Sequence, residues 1–280
     1  MNLEGKVALV TGGGAGFGTA IVQRLVEDGA RVFITGRRKE KLEATAKAMP
    51  AGKVAFCAGD VSKDEDVVKV VKTAVETFGK IDILVNNAAT DVKGATADLS
   101  PDGWRRVIDV NLTGPFLMMR EVIPHMKKNG GGSIVNIASL GGTRCLPECP
   151  AYCTAKAGLI MLTQQTALDY GADKIRVNAV CPGGIDTELL DEMILPLAEN
   201  LGTDKNGALA YFSQDVPLRR VSKPREITGL VSFLASDDSS FMTGSAVLID
   251  GGAHIVDISG ASVTHGMKQA GKDHINQFKS

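Results

Sequence analysis

Tyr152 and Lys156 stand four residues apart in the run Ala151-Tyr152-Cys153-Thr154-Ala155-Lys156. On a helix that spacing puts both side chains on one face, so the ammonium can lie beneath the phenol. A phenol is a poor acid or base at neutral pH unless a nearby cation lowers its pKa, and a tenfold change in its acidity corresponds to roughly 1.4 kcal/mol. The pair therefore reads as a tuned proton donor and acceptor. Ser139 closes an apolar strand just upstream, and a glycine-rich turn, Thr11 to Gly18, follows the first strand. The turn reads as the seat of a dinucleotide. Together these residues describe a redox enzyme.

The common G-x-G-x-x-G fingerprint does not fit, because Phe17 stands where its last glycine belongs. T-G-x-x-x-G-x-G does fit, as Thr11, Gly12, Gly16 and Gly18. Gly12 can take the tight exit from the strand, Gly16 lets the backbone approach a pyrophosphate, and Gly18 lets the helix pack closely on the sheet. Unpaired amides at the helix start then meet the phosphates. The second strand ends in Thr35-Gly36-Arg37-Arg38, with no carboxylate to accept from a ribose 2′-hydroxyl. Arg37 can stack on adenine and meet a 2′-phosphate, which favours NADP over NAD; the other reading leaves both arginines solvated at a helix start. Asp60, past the third strand, can accept from the adenine amine or cap the turn into Val61-Ser62.

Positioning these groups takes a layered domain. Short β-rich runs alternate with longer helical patterns: Lys6 to Thr11, Arg31 to Thr35, Val54 to Cys57, Ile81 to Asn86, Ser133 to Ala138, Ile175 to Val180 and Ala246 to Ile249. Seven strands separated by helices imply an α/β fold, a single-domain, doubly wound parallel sheet with helices on both faces. The first five runs are nearly all apolar, as strands buried on both faces are. The domain is expected over 1–254, with a tail over 255–280. Residues 186–216 form an insertion in which Leu189, Met193 and Leu197 make a helical stripe, with Leu190 and Ile194 beside it.

Composition is that of a soluble globular chain: 44% hydrophobic and 22% charged, with a net charge of −1. The lysines and arginines are scattered rather than striped, which argues against nucleic acid as a partner. Apolar runs are strand-sized, so no membrane span is expected. The amino terminus leads directly into a strand without a signal-peptide layout, making the cytoplasm the expected location. Five cysteines, Cys57, Cys145, Cys149, Cys153 and Cys181, suggest reduced thiols. Pro147 and Pro150 break the four-residue rhythm of Cys145, Cys149 and Cys153, and no histidine lies nearby, so no metal is expected.

These residues, in this order, resemble the short-chain dehydrogenase/reductase family from about Lys6 to Gly252. The matches are the glycine turn, Asn86-Asn87-Ala88, Asn111, Ser139, Tyr152-x-x-x-Lys156, Pro182-Gly183 followed by Thr187, and Asp250-Gly251-Gly252. The resemblance implies a Rossmann fold and a catalytic tetrad. Tyr152 would exchange a proton with the substrate oxygen. Lys156 would lower the tyrosine pKa and hold the nicotinamide ribose. Ser139 would hydrogen-bond the substrate carbonyl. Asn111 would anchor a water that links Lys156 to solvent. Asn87, Ala88 and Thr187 would line the cofactor, with backbone contacts from Ile185; Phe17 in the turn and Val61 beside Asp60 complete that set. Asn86 would steady the central sheet. The chain departs from the family at Ala89, where glycine is frequent, and in its long tail. Related tetramers use such tails to reach a neighbour, so a homotetramer is expected.

Leu140 to Pro150 should wall the substrate pocket with Arg144, Leu146 and Cys149, and the insertion adds Leu189 as part of a lid. The expected substrate is a small ketone or secondary alcohol in a mostly apolar pocket. Arg144 can anchor an acidic group or point to solvent. Two rival functions are a β-ketoacyl thioester reductase and a non-catalytic cofactor-binding regulator on the same fold.

Overall fold

The computed structural model describes residues 1–257. Seven parallel strands form one sheet: β1 (Val7–Thr11), β2 (Arg31–Gly36), β3 (Val54–Ala58), β4 (Ile83–Asn86), β5 (Gly132–Ile137), β6 (Ile175–Pro182) and β7 (Ala246–Ile249). Their order is β3-β2-β1-β4-β5-β6-β7. The chain thus winds outward from β1 to β3, returns, and resumes beside β1 at β4. Between the carboxyl ends of β1 and β4 the connections part in opposite directions and leave a crevice, where doubly wound sheets bind ligands.

Every residue of β1 and β4 is buried, while β3 and β7 at the edges are only partly covered. Central strands that face helices on both sides need apolar residues at every position, which explains the unbroken runs. On one face lie α1 (Gly16–Glu27), α2 (Lys39–Lys47) and α9 (Pro224–Ala235). Ile21, Val22 and Leu25 pack there with Val10, Ile34, Val231 and Leu234. The opposite face carries α3 (Asp64–Phe78), α5 (Gly114–Lys128) and α6 (Pro150–Tyr170). Val67, Val70 and Val71 meet Leu9, Phe33 and Leu84 there, with Met118 and Val122 alongside. Each fully buried aliphatic side chain contributes about 1.5–3 kcal/mol.

α6 departs from the usual apolar stripe. Its buried positions are Ala151, Ala155, Lys156, Leu159, Thr163, Thr166 and Ala167, while Met161 is 63% and Leu168 78% exposed. Apart from Leu159, small and polar residues therefore face the sheet. A buried chain of amides meets them: Asn86 Nδ2 donates to Asn136 Oδ1 at 2.8 Å, and Asn136 Nδ2 donates to Thr163 Oγ1 at 2.9 Å. This chain joins β4, β5 and α6 near the carboxyl ends of the two strands.

The segment 186–216 folds as two helices, α7 (Glu188–Leu201) and α8 (Lys205–Phe212), with α4 (Pro101–Ile108) completing the set on the other side of the site. Ile194, Ala198 and Ala208 form a small core of their own, with Leu190 and Leu197 against it. Of the expected stripe, Leu197 packs against this core with the neighbouring Leu190 and Ile194, while Leu189 and Met193 are exposed. After β7, the Asp250 carboxylate accepts from the amides of Gly252 and His254 and lies 2.9 Å from His254 Nδ1. The expected tail beyond Asp257 lies outside the described residues.

Asn136→Leu should lower the unfolding free energy by roughly 2–3 kcal/mol, since it strands the buried Asn86 amide without an acceptor. Urea denaturation of the two proteins measures this directly.

Candidate active site

The crevice between β1 and β4 is laced by one hydroxyl. Thr11 Oγ1 accepts from the Asn87 amide at 2.9 Å and the Ala88 amide at 3.0 Å. Asn87 Nδ2 returns a bond to the Thr11 carbonyl at 2.9 Å. The glycine turn and the loop after β4 are thus held as one piece. Gly12 opens that turn, and Gly18 permits it: a Cβ there would stand 2.0 Å from the Gly12 carbonyl oxygen. Phe17 is buried in the core, so only its backbone faces the crevice.

The turn fits the phosphates of a dinucleotide on two observations. α1 has no side-chain cap at Ala15 and no acidic residue in its first turn, so its leading amides stay available to an anion. Gly16, at φ +51°, faces open space, and a Cβ there would only come within 3.8 Å of Thr187 across the gap. Thr187 itself precedes α7, and its hydroxyl donates to the Ile185 carbonyl at 3.3 Å. Ile185 pairs with Ser222 through the Gly184 carbonyl and Asp186 amide, which turns its own N–H the other way.

At the end of β2, Arg37 is exposed and Gly36 has room for a side chain, its nearest neighbour to an added Cβ being Leu42 at 3.6 Å. Asp60 Oδ1 accepts from the Ser62 amide at 3.0 Å and the Ser62 hydroxyl at 2.7 Å, so it caps the turn. Burial pushes the Asp60 carboxyl up, but those bonds and the Arg37 and Lys63 charges outweigh it and hold it below its ordinary pKa. Val61 packs into the core rather than toward solvent.

Tyr152 lies in the first turn of α6, half-buried, with Lys156 one turn on. Lys156 is 2% exposed, and its Nζ donates to the Ile137 carbonyl at 2.7 Å and lies 5.6 Å from the Tyr152 ring centroid. Burial draws the lysine from 10.5 down to about 8, offset in part by the Cys181 thiol. Burial also pushes the Tyr152 phenol up to about 12, against a hydrogen bond with Ser139 that lowers it. The expected lowering by Lys156 does not enter this balance: desolvation of the phenolate is the largest effect, and Lys156 gives its short bond to Ile137. Ser139 Oγ accepts from the Gly141 amide at 3.0 Å, which aims the hydroxyl from the end of β5.

Asn111 sits in a π turn, Asp109–Thr113, between α4 and α5. Its Nδ2 donates to the carbonyls of Thr90 at 2.7 Å and Val107 at 3.0 Å, and its Oδ1 accepts from the Thr90 amide at 3.3 Å. Both polar atoms of the side chain are therefore bonded, and the Oδ1 keeps a second lone pair.

The expected substrate wall is differently employed. Cys149 is 2% exposed and its thiol faces Lys93 and Asp91. Arg144 is exposed and donates to the Val256 carbonyl at 3.3 Å, holding the segment after β7. Leu146 and Leu189 remain open on the surface. Asp91, Lys93, Asn136 and Thr163 escape a reading of the sequence because their partners lie 27 or more residues away, save the Asp91–Lys93 pair. Among the described residues no cluster of three His, Cys, Asp or Glu side chains could hold a metal, and no helix is long and apolar enough to cross a membrane.

A doubly wound sheet with an anion-ready helix at its switch point belongs to the class of dinucleotide-binding proteins. Comparison with known proteins narrows the class. A family model described as enoyl-(acyl carrier protein) reductase matches residues 12–254. An uncharacterized oxidoreductase of Thermotoga maritima is 40% identical over 260 residues, covering 91% of this chain and 100% of that protein. A 3-oxoacyl-(acyl-carrier-protein) reductase of the same organism is 37% identical over 254 residues, covering 90% and 99%. The crystal structure of levodione reductase matches with a TM-score of 0.85 at 32% identity, covering 91% of this chain and 100% of that one. The chain belongs to the short-chain dehydrogenase/reductase family, oxidoreductases of alcohol and carbonyl groups that use NAD(P).

Because Lys156 binds its proton less tightly when folded, the unfolded chain holds more protons between pH 8 and 10.5. This residue's contribution therefore makes stability rise with pH across that window. Urea midpoints of the wild type should climb relative to Lys156→Met between those values; parallel curves would contradict the assignment.

Proposed function

We propose that the protein interconverts a ketone and a secondary alcohol with NADP as preferred cofactor and Tyr152 as the acid-base group. The observation that carries this reading is the convergence of Tyr152, Lys156 and Ser139 at the carboxyl end of β5, beside a turn built for a dinucleotide. The cofactor, when bound, gives or takes the hydride. Ser139 donates to the substrate oxygen, and Tyr152 adds or removes the proton there. A phenol held protonated by burial suits the reductive direction at neutral pH, and oxidation of the alcohol should quicken as pH rises. Lys156, still mostly charged at neutral pH, stabilises the phenolate as it forms.

Cofactor contacts in this reading come from Gly12, Gly16 and Gly18, from the backbones of Phe17 and Ile185, and from Asn87, Ala88 and Thr187. The preference for NADP is supported by Arg37 and by the absence of a carboxylate at the end of β2. A homotetramer in the cytoplasm is the setting we propose; Phe116, Met161 and Leu168 leave apolar surface on α5 and α6. A second reading, reduction of a β-ketoacyl thioester, is favoured by the likeness to a 3-oxoacyl-(acyl-carrier-protein) reductase. Turnover of ketones, hydroxy acids and thioesters with both nicotinamides separates the two.

Tyr152→Phe should cut turnover by roughly 10²–10⁴-fold while cofactor still binds, as fluorescence titration would report. Retained turnover would remove the tyrosine from its role. Gly36→Asp, which has room for its side chain, should shift the ratio of kcat/KM values toward NAD; an unchanged ratio would mean that Arg37 does not meet the ribose.

A further inference from the structure

Two loops wall the space beside Tyr152, and a charged seam fastens them. The loop after β4 carries Asp91 and Lys93, and the segment after β5 ends in Cys149, the residue before α6. Lys93 Nζ lies 2.8 Å from Asp91 Oδ2 and 2.8 Å from Cys149 Sγ, while Sγ reaches Asp91 at 3.7 Å. Along the same seam the Gly94 amide donates to the Glu148 carbonyl at 3.0 Å, with Glu148 in the left-handed region at φ +57°. The Asp91 side chain is 10% exposed and that of Lys93 48%. The carboxylate and thiol face inward, and the lysine reaches in from solvent to cover them.

Cys149 is the N-cap of α6, and Tyr152 lies in the turn that follows it. The cluster is therefore anchored one turn from the phenol. The groups acting on that phenol are Asp91 from the loop after β4, Ser139 past the end of β5, Cys149 at the N-cap of α6, and Cys153 and Lys156 from α6; Lys93 reaches it through its contacts with Asp91 and Cys149. Negative charge on Asp91, Cys149 or Cys153 holds the proton on Tyr152, and the Ser139 bond opposes it. Burial keeps the Cys149 thiol protonated, which leaves Asp91 as the anion that matters. Its one close cation among the described residues is Lys93, itself held charged by Asp91 and Cys149 against the cost of burial.

We propose that Lys93 is a positioning residue for Tyr152: its ammonium cancels the Asp91 carboxylate beside the phenol and ties the loop after β4 to the start of α6. This rests on the acid-base role proposed for Tyr152. Removing the ammonium leaves a poorly solvated carboxylate near the phenol, and a like charge at such range makes the phenol about tenfold less acidic.

The test is the pH dependence of kcat/KM for alcohol oxidation at saturating cofactor, where activity rises as the phenol ionises. In Lys93→Met the rising limb should move up by about one pH unit, and the rate at neutral pH should fall about tenfold. Lys93→Arg should keep the wild-type limb. The double variant Lys93→Met with Asp91→Asn should return it, since the anion is gone although the seam stays open. A purely structural lysine would lower kcat or stability in both Lys93→Met proteins and leave the limb in place. An unmoved limb in folded, cofactor-binding Lys93→Met, or a shift that persists in the double variant, overturns the role of Lys93 alone. A wild-type enzyme that turns over none of the carbonyls and alcohols, or a limb that survives Tyr152→Phe, overturns the acid-base reading and this inference with it.

Discussion

The structure is organised around a lysine that must lie inside the protein. Lys156 is nearly inaccessible to water, and its ammonium is compensated chiefly by the Ile137 carbonyl at 2.7 Å. Such a bond is possible only if α6 sits close on β5. The buried positions of α6 are mostly small or polar, Ala151, Ala155, Thr163, Thr166 and Ala167, with Leu159 as the bulky apolar residue among them. The amide chain from Asn86 through Asn136 to Thr163 adds directional contacts. The same seating presents Tyr152 at the crevice and keeps Ser139 within hydrogen-bonding reach.

The nucleotide side follows a complementary logic. There the sequence avoids side chains rather than shrinking them, leaving bare amides at the start of α1 and a turn that tolerates no Cβ at Gly18. Thr11 then fixes the distance between that turn and the loop after β4. One hydroxyl sets the separation between the nucleotide-facing and substrate-facing halves of the site.

The sheet is legible in the sequence because central parallel strands bury both faces and so write themselves as apolar runs; β1, β2 and β7 begin within a residue of where those runs do. The glycine turn and the Tyr-Lys pair are legible because their function demands local spacing. α6 shows the opposite case. Its inner face is small and polar and its outer face carries Met161 and Leu168, so periodicity gives no clue to which side meets the sheet. Asn111 is expected to anchor a water; that its side chain is bound to Thr90 and Val107 becomes visible only once the π turn exists. Cys149 and Arg144 read as pocket walls, but their partners, Lys93 and the Val256 carbonyl, are 56 and 112 residues distant. The desolvation of Tyr152 is not legible in the sequence for a related reason: proximity to a cation can be read from spacing, whereas desolvation depends on everything packed around the ring.

The loop after β4 is pinned at three points in seven residues. Asn87 and Ala88 are bound to Thr11 on β1, Thr90 to Asn111 in the π turn, and Asp91 and Lys93 to Cys149 ahead of α6. Each anchor belongs to a different element, so the stretch behaves as a ruler rather than a tether. Its side chains can vary wherever they are not fastened, but its length cannot: one inserted or deleted residue would put at least one anchor out of step and pull the two halves of the crevice out of alignment.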